Sequence, residues 1–333
     1  MENINKHPPI KFGKTGVLVI NLGTPDSTSW FDIRKYLKEF LSDKRVIEVN
    51  PILWKIILNL FILNFRPSKT AKAYKEIWMK KEDMSPLRYF TIMQTNKLMD
   101  RISNKGLVVD YAMRYGKPSI KSKIYKMHQA GCEKLLVLPL YPQYAAATTA
   151  TVCDEVYRVL MSMRWQPSLQ IIPHYESEPL YIKALVKSIK IKISQLSWKP
   201  DLILASYHGI PKKYFDKGDP YQCYCQKTSR LIKEQFKDVN IKTSFQSRFG
   251  PQEWLTPYTD KTLESLPDEG IKNLLVICPG FASDCVETLE EINIQGKETF
   301  IKSGGRNFDL IPCLNESNEH IDLLQHIIKK HIS

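Results

Sequence analysis

The sequence predicts an α/β protein of the doubly wound type, built from two similar halves. Three observations carry this prediction: short apolar runs recur along the chain, stretches with helical periodicity separate them, and two pairs of runs resemble each other. Runs that are apolar at every position are typical of parallel strands buried on both faces. Strands that alternate with helices indicate a parallel β-sheet flanked by helices in each half.

Five apolar runs are predicted to be strands, at residues 17–25, 107–116, 134–142, 202–211 and 273–281. The run "GCEKLLVLP" resembles "GIKNLLVICP", and "VLVINLGTP" resembles "LILASYHGIP", which suggests that the two halves are built alike. We expect the chain to cross between them within residues 164–179. Because ligands of open α/β sheets bind beyond the carboxyl ends of the strands, the residues after each run are the first candidates for a site.

Composition narrows the class of protein. The 333 residues suffice for two domains, and the net charge of +13 reflects lysines spread along the whole chain, which we interpret as a general basic background without a nucleic-acid site. Seven cysteines without regular spacing do not resemble a disulfide framework. The first residues, "MENINKHPPIKFGKTG", lack the apolar stretch of a signal peptide. We therefore expect a bacterial-type cytoplasmic protein.

The most apolar segment, "PILWKIILNLFILNF", lies at residues 51–65. As a helix its 15 residues would span only about 22 Å, short of the roughly 30 Å hydrocarbon core of a membrane. Two interpretations stay open. The segment is either an ordinary buried helix or an exposed apolar lip that touches a membrane surface or admits an apolar ligand.

A histidine and three carboxylates follow two of the predicted strands. His208 ends the run "LILASY", where a neutral imidazole can bind a divalent metal or accept a proton. In "CPGFASDCVETLEEI", Asp284, Glu287 and Glu291 share one face of a helix that would begin near Ser283. A capping box would explain Asp284 but not the whole row, and a hydrogen-bonded structural histidine would explain His208. The row beside a strand-end histidine instead favours a site for cation binding or proton transfer.

Aromatic and cationic residues occupy other expected crevice positions. They include Arg114, Tyr115, Tyr144, Phe245, Phe249, Trp254 and Tyr258. Such side chains suit a large flat ligand that carries carboxylates, although packing is the commoner explanation for any one of them. Cys223 and Cys225 offer only two thiolates, whereas an iron–sulfur cluster or a structural zinc needs four, so we interpret them as ordinary thiols. Phosphate-loop, dinucleotide and serine-hydrolase motifs are absent from the sequence.

Taken together, the motifs resemble the ferrochelatase family in its bacterial form. The segments "VLVINLGTPDS", "YLKEFLSDKRVIE", "AMRYGKPSI", "VLPLYPQYAAATTA", "SYHGIPKKYFDKGDPY", "FQSRFGPQEWLTPYTD" and "CPGFASDCVETLEEINI" occur in the family's order over residues 16–325. The resemblance implies two Rossmann-like domains of the chelatase type, at residues 1–168 and 169–313, with a porphyrin cleft between them. It implies an apolar lip at about residues 40–85, and a C-terminal helix at residues 314–333 that returns to the first domain.

The resemblance also implies site residues. His208 and Glu287 match the family's catalytic pair, which acts on ferrous iron or on the porphyrin protons. Asp284 and Glu291 match members of its acidic row, and five residues match positions that contact the porphyrin: Leu22, Arg114, Tyr115, Trp254 and Phe281. Cys285 stands where some relatives have a histidine. The resemblance does not indicate an oligomeric state.

The implied function is insertion of ferrous iron into protoporphyrin IX, the terminal step of haem biosynthesis, with release of two protons. The apolar lip favours protoporphyrin over the more acidic coproporphyrin and implies peripheral contact with a membrane. Alternatives are a chelatase for coproporphyrin or another tetrapyrrole, and a haem or metal carrier without turnover. The cysteines that hold a [2Fe-2S] cluster in some relatives are not matched here, so we expect no resident cofactor and treat iron as a substrate.

Overall fold

A computed structural model describes residues 11–102, 106–237 and 239–332. The N-terminal residues that bear on the signal-peptide prediction lie mostly outside this range. In the described ranges, eight strands form two four-stranded sheets. The strands are β1 Lys14–Gly23, β2 Leu107–Tyr115, β3 Cys132–Pro139, β4 Ser168–Ile171, β5 Leu202–His208, β6 Asn240–Gln246, β7 Asn273–Ile277 and β8 Asn307–Leu310.

The two sheets have the same topology. The first has the order β2-β1-β3-β4 and the second the order β6-β5-β7-β8, and every pairing between strands is parallel. Within each half the first strand along the chain is therefore central, with its two partners on either side. This confirms the predicted α/β class with two similar halves, and the five predicted runs correspond to β1, β2, β3, β5 and β7.

Helices cover the sheets and connect the strands. The α-helices are α1 Trp30–Leu41, α2 Pro51–Ile57, α3 Leu63–Ile77, α4 Pro86–Ile102, α5 Ile120–Gln129, α6 Thr151–Met161, α7 Pro179–Gln195, α8 Lys212–Asp216, α9 Tyr221–Lys233, α10 Thr259–Ser265, α11 Lys297–Lys302 and α12 Asn318–Ile332. Among the residues that the structure describes, three segments have the wider π-helical hydrogen bonding: π1 Leu58–Ile62, π2 Ala146–Ala150 and π3 Val286–Gly296.

The largest core cluster runs through both halves. It contains Val17 and Leu136 of the first sheet, Ile203 of the second, and Ile321 and Leu324 of α12. Helix α12 packs against α4 and β3 of the first half and against α7. The last helix of the chain therefore covers the first sheet. The limits of the two domains, at residues 168 and 169, stay a prediction.

Helices α2, π1 and α3 form a continuous projection, which we call the lip. Several of its large apolar side chains are more than half exposed: Ile52, Leu53, Leu60, Phe61 and Phe65. Leu58 and Leu63 are buried and hold the lip against α1 and Tyr115. The lip is thus an exposed apolar surface, and the alternative of an ordinary buried helix is wrong. Among the residues that the structure describes, no helix is both long enough and apolar enough to span a membrane.

Candidate active site

His208 is the last residue of β5, the central strand of the second sheet. Its side chain is half-buried, and its Nδ1 lies 2.6 Å from the carbonyl oxygen of Gly209. Because a carbonyl only accepts hydrogen bonds, Nδ1 carries the proton and Nε2 of the neutral ring keeps a lone pair. A Cβ atom at Gly209 would lie 3.0 Å from the Gln246 carbonyl and 3.2 Å from the Trp254 ring, so this tight exit requires glycine.

Glu287 and Glu291 lie on π3, which begins at Val286 with Cys285 as its N-cap. The sequence predicted an α-helix from near Ser283, and that start is wrong. Ser283 and Asp284 precede the helix, and the turns are π-helical. In a π-helix the hydrogen bonds run from residue i to i+5, so residues four apart lie nearly above one another. Both glutamates therefore face the same side, whereas Asp284 does not continue their row.

The carboxylate of Glu291 is held beside both His208 and Glu287. Burial raises its pKa, the negative charge of Glu287 raises it further, and His208 opposes the shift. Ser247 also opposes it, because its N–H donates to Oε1 at 2.7 Å and its hydroxyl donates to Oε2 at 2.5 Å. A carboxyl group with a raised pKa can accept and release a proton closer to neutral pH than a solvated glutamate.

Ser247 adopts a left-handed backbone conformation, with φ of 65°. This region is unfavourable for a residue with a side chain, and such strain concentrates at functional sites. It directs the N–H and the hydroxyl of Ser247 toward one carboxylate. Sequence analysis missed Ser247 and its neighbour Gln246, because β6 is an edge strand whose letters, "NIKTSFQ", are too polar to be recognised as an apolar run.

Asp284 is buried, with only 4% of its surface exposed. Its carboxylate accepts hydrogen bonds from the Thr288 hydroxyl at 3.0 Å, the Cys313 N–H at 3.2 Å and the Asn315 amide at 2.7 Å. The predicted capping box between Asp284 and Glu287 is not formed, since Cys285 and Thr288 cap the helix. Asp284 instead fastens the start of π3 to the segment that leads to α12.

The first half contributes the surroundings of Glu287. Helix α3 of the lip packs against π3, and the charge of Glu287 acts on Arg66 and Tyr74 of α3. Burial raises the pKa of Tyr74 well above its usual range, and burial lowers that of Arg66 although its side chain reaches solvent. The Arg66 guanidinium lies 5.3 Å from the centre of the Phe249 ring, so the lip touches the loop that follows β6. Glu287 therefore lies where the two halves meet.

Leu22 and Phe281 come from opposite halves and pack against the same small cluster. Both are half-buried and contact the group formed by Leu87, Met113 and Cys285. Leu22 lies at the carboxyl end of β1, and Phe281 follows the carboxyl end of β7. Both are therefore at the strand ends, where ligands of open α/β sheets bind. They line the junction between the halves.

Of the other predicted porphyrin-contacting residues, Tyr115 and Trp254 are buried and Arg114 is half-buried. Tyr115 has no exposed surface, and Arg114 is 12% exposed at its side chain and pairs with the carboxylate of Asp43. The Tyr115 hydroxyl donates to the same carboxylate at 2.9 Å. Trp254 is 5% exposed, and its Nε1 donates to the Phe249 carbonyl at 3.0 Å. Their contact with a porphyrin stays a prediction.

A cavity of about 160 Å³ adjoins Glu291. Its polar lining includes Ser247, Asp260, Glu291, Gln295 and Thr299, whereas His208 and Glu287 do not line it. Within the described ranges, the candidate site included, no group of three or more His, Cys, Asp or Glu side chains is arranged to hold a metal ion. Cys223 is exposed on α9 and Cys225 is buried there, where burial raises its thiol pKa.

Comparison with known proteins gives a consistent result. The family model described as Ferrochelatase matches residues 14–332. The ferrochelatase of Rhizobium meliloti (strain 1021) is 51% identical over 100% of this chain and 99% of its own length, and that of Francisella tularensis subsp. tularensis (strain SCHU S4) is 51% identical over 97% of each.

Solved structures share the fold at low identity. SirB from Bacillus subtilis with Fe³⁺ has a TM-score of 0.57 and 12% identity over 95% of both chains. The sirohydrochlorin chelatase SirB from Bacillus subtilis subspecies spizizenii, in complex with cobalt, has the same TM-score at 9% identity, covering 95% of this chain and 94% of SirB. These structures support the two-domain chelatase fold. Because the family model and these half-identical relatives cover nearly the whole sequence, this chain belongs to the ferrochelatase family.

Proposed function

We propose that this protein inserts ferrous iron into protoporphyrin IX to form protohaem, the terminal step of haem biosynthesis, at the junction of His208, Glu287 and Glu291. Family membership supports metal insertion as a lyase reaction. The single observation that carries the site is geometric: Gln246, the register partner of His208, donates to the Glu287 carbonyl and the Glu291 carboxylate on π3, against which the lip helix α3 packs.

Insertion replaces two pyrrole N–H protons by one Fe²⁺ ion, so the site has to accept two protons for each turnover. The Nε2 lone pair of His208 accepts a pyrrole proton. Glu287 then receives iron or the second proton, and Glu291 passes a proton onward because its raised pKa suits both uptake and release. The cavity beside Glu291 gives that proton, or an incoming Fe²⁺ ion, a polar path.

The porphyrin lies against the junction between the halves in this proposal. Leu22 and Phe281 contact its apolar face, and Arg66 at the lip offers a cation to a porphyrin carboxylate. In this proposal, the layer behind Leu22 and Phe281 is formed by Arg114, Tyr115 and Trp254. These three residues contact the porphyrin only if Leu22 and Phe281 move aside. Asp284 holds π3 in place and stands outside the path of protons.

The exposed lip fits a membrane-derived substrate. Its apolar side chains form a surface that suits the headgroup boundary of a bilayer, where an apolar porphyrin such as protoporphyrin collects. We therefore propose a cytoplasmic protein that touches a membrane peripherally through residues 51–65. The same surface argues for protoporphyrin over coproporphyrin, which carries four carboxylates and prefers water. The division into domains at residues 168 and 169 belongs to this proposal.

Anaerobic incubation with Fe²⁺ and either porphyrin tests the function. We expect the absorbance bands of protohaem to appear with protoporphyrin, and little change with coproporphyrin. Preferred metallation of coproporphyrin would assign the other substrate. Binding of protoporphyrin without metallation would contradict the enzyme and favour a carrier.

A further inference from the structure

Gln246, the last residue of β6, is a buried amide beside the site. It is 3% exposed, and it is the register partner of His208 across β5 and β6. Its backbone carbonyl accepts the N–H of Gly209 at 2.8 Å. The main chain of Gln246 therefore fixes the turn that directly follows His208.

The side chain of Gln246 reaches the opposite group of the site. Its Nε2 donates to the backbone carbonyl of Glu287 at 2.8 Å and to the carboxylate of Glu291 at 3.4 Å. Because the Glu287 carbonyl can only accept, this contact sets the amide orientation, with Nε2 toward π3. One residue thus joins the backbone beside His208 to both glutamate positions of π3.

The other edge of the amide is also occupied. Oε1 accepts the Ser206 hydroxyl at 2.7 Å, and the Cys278 thiol approaches it at 3.8 Å. Ser206 in turn lies 2.9 Å from the Thr259 hydroxyl. An amide has two donor hydrogens and two acceptor positions, and here all four have partners. Any rotation of Gln246 would leave buried polar groups unpaired, so the side chain is held in one conformation.

We propose that Gln246 is a positioning residue, which holds Glu287 and Glu291 at a fixed separation from His208. This inference rests on the proposed function and deepens it, because Gln246 acts on the reaction through Glu287 and Glu291. Transfer of a metal or a proton between these groups requires reacting atoms at a set distance, and small displacements slow such steps strongly. The polar groups behind a metal-handling site typically change activity by about 10- to 100-fold when they are removed.

Two substitutions separate positioning from packing. Gln246→Leu has a similar volume but removes all four polar contacts, so we expect kcat for Fe²⁺ insertion to fall by about 10- to 100-fold. The KM for protoporphyrin should change by less than about twofold, because in the proposed function the apolar face of the ring rests on Leu22 and Phe281. Gln246→Glu cannot donate when ionised and repels Glu291, but its protonated form restores one donor.

The pH profile is the decisive measurement. The kcat of Gln246→Glu, relative to wild type, should rise as the pH is lowered, whereas that of Gln246→Leu should stay constant. Gln226→Leu and Gln226→Glu, at an exposed position of α9, serve as matched controls and should follow the wild type at every pH. The folded fraction is measured by circular dichroism at each pH, so that a loss of folding is not counted as a loss of turnover.

The inference is overturned if folded Gln246→Leu keeps a kcat within about twofold of wild type. It is also overturned if the two Gln246 variants show the same pH dependence. If the wild-type chain itself fails to metallate protoporphyrin, the proposed function fails. Crystal structures of wild type and Gln246→Leu then decide the positioning role, which is wrong if Glu287 and Glu291 keep their places relative to His208.

Discussion

The two sheets share one strand order but end in different chemistry. Beyond the first sheet, the Arg114 guanidinium and the Tyr115 hydroxyl both contact the carboxylate of Asp43, and Arg114 also donates to the Thr151 carbonyl. Beyond the second sheet, His208 and Glu291 are half-buried, and the Glu291 carboxyl has a raised pKa. Polar residues that are hydrogen-bonded to one another stabilise the fold, whereas a titratable group near solvent can exchange protons. In the proposed function, the same scaffold thus supplies a buried ion pair in one half and the groups that handle protons in the other.

The largest effect should follow a change in the reactive half. Glu287→Gln and His208→Ala should each lower kcat by roughly 10²- to 10⁴-fold, because each removes a group that handles protons or iron. Stopped-flow or steady-state absorbance of protohaem formation measures this. Glu290→Gln, on the same helix but outside the site, should keep wild-type turnover. A near-normal kcat in both site variants would contradict the assignment of the reaction to these residues of the second half.

A change in the ion pair of Arg114 and Asp43 in the first half should lower the stability of the protein. Asp43→Ala leaves the largely buried guanidinium of Arg114 without its partner and should lower the free energy of unfolding by about 3 kcal/mol. Urea denaturation measures the loss, with Glu269→Ala in an exposed ion pair as a control expected to change stability by less than about 1 kcal/mol. A stable Asp43→Ala variant that lacks turnover would show that Asp43 and its partners take part in the reaction.

The packing of α12, the helix that returns to the first half, should make the stability of the protein depend on pH. Burial lowers the pKa of His320 on α12 to about 4, while its Nδ1 donates to the Asn315 carbonyl at 2.6 Å. Between about pH 6.5 and pH 4 the unfolded chain binds a proton at this residue that the folded chain does not, so stability rises with pH across this window. The span amounts to about 3 kcal/mol.

Thermal or urea unfolding at several pH values measures this slope. His320→Asn keeps a donor at the same position but does not titrate, so the difference between wild type and variant should grow smaller toward pH 4. Gln325→Asn, on the same helix and without a titratable side chain, should keep the wild-type slope. If the slope of stability against pH is unchanged in His320→Asn, the pH dependence arises from another residue.

The smallest energetic effect is expected at the lip. Phe61→Ser combined with Phe65→Ser removes two exposed rings and should weaken binding to phosphatidylglycerol-containing vesicles by about tenfold or more, with little loss of stability. Sedimentation with vesicles measures the binding. Met161→Ser removes a similarly exposed side chain of α6 outside the lip and should bind like wild type. Equal losses in both variants would indicate general stickiness without a defined docking surface.

The sequence allowed strands to be predicted where apolar residues form a recognisable run, as in the partly buried edge strand β2, and failed where polar residues interrupt that run. β4, β6 and β8 are edge strands, and their letters "SLQI", "NIKTSFQ" and "NFDL" mix polar residues into a half-buried pattern. His208, Glu287 and Glu291 were recognised because they follow apolar runs. Ser247 and Gln246 were missed because they end one of those edge strands.

The error at Asp284 has a different cause. Residues spaced i, i+3 and i+7 share a face only on an α-helix, and periodicity alone does not show that the turns here are π-helical or that they begin three residues later, at Val286. The partners of Asp284 lie about 30 residues further along the chain, at Cys313 and Asn315. Such long-range hydrogen bonds leave no local pattern in the sequence.

The return of α12 has a consequence for synthesis. Ile321, Leu324 and Ile328 of this last helix complete the core that also contains Val17 and Leu136. During translation the first half emerges early, yet the helix that covers its sheet leaves the ribosome only after the whole second half. The nascent first half therefore waits with an uncovered apolar face until the second half has been made. Its exposure to aggregation lasts for the whole time needed to translate the second half.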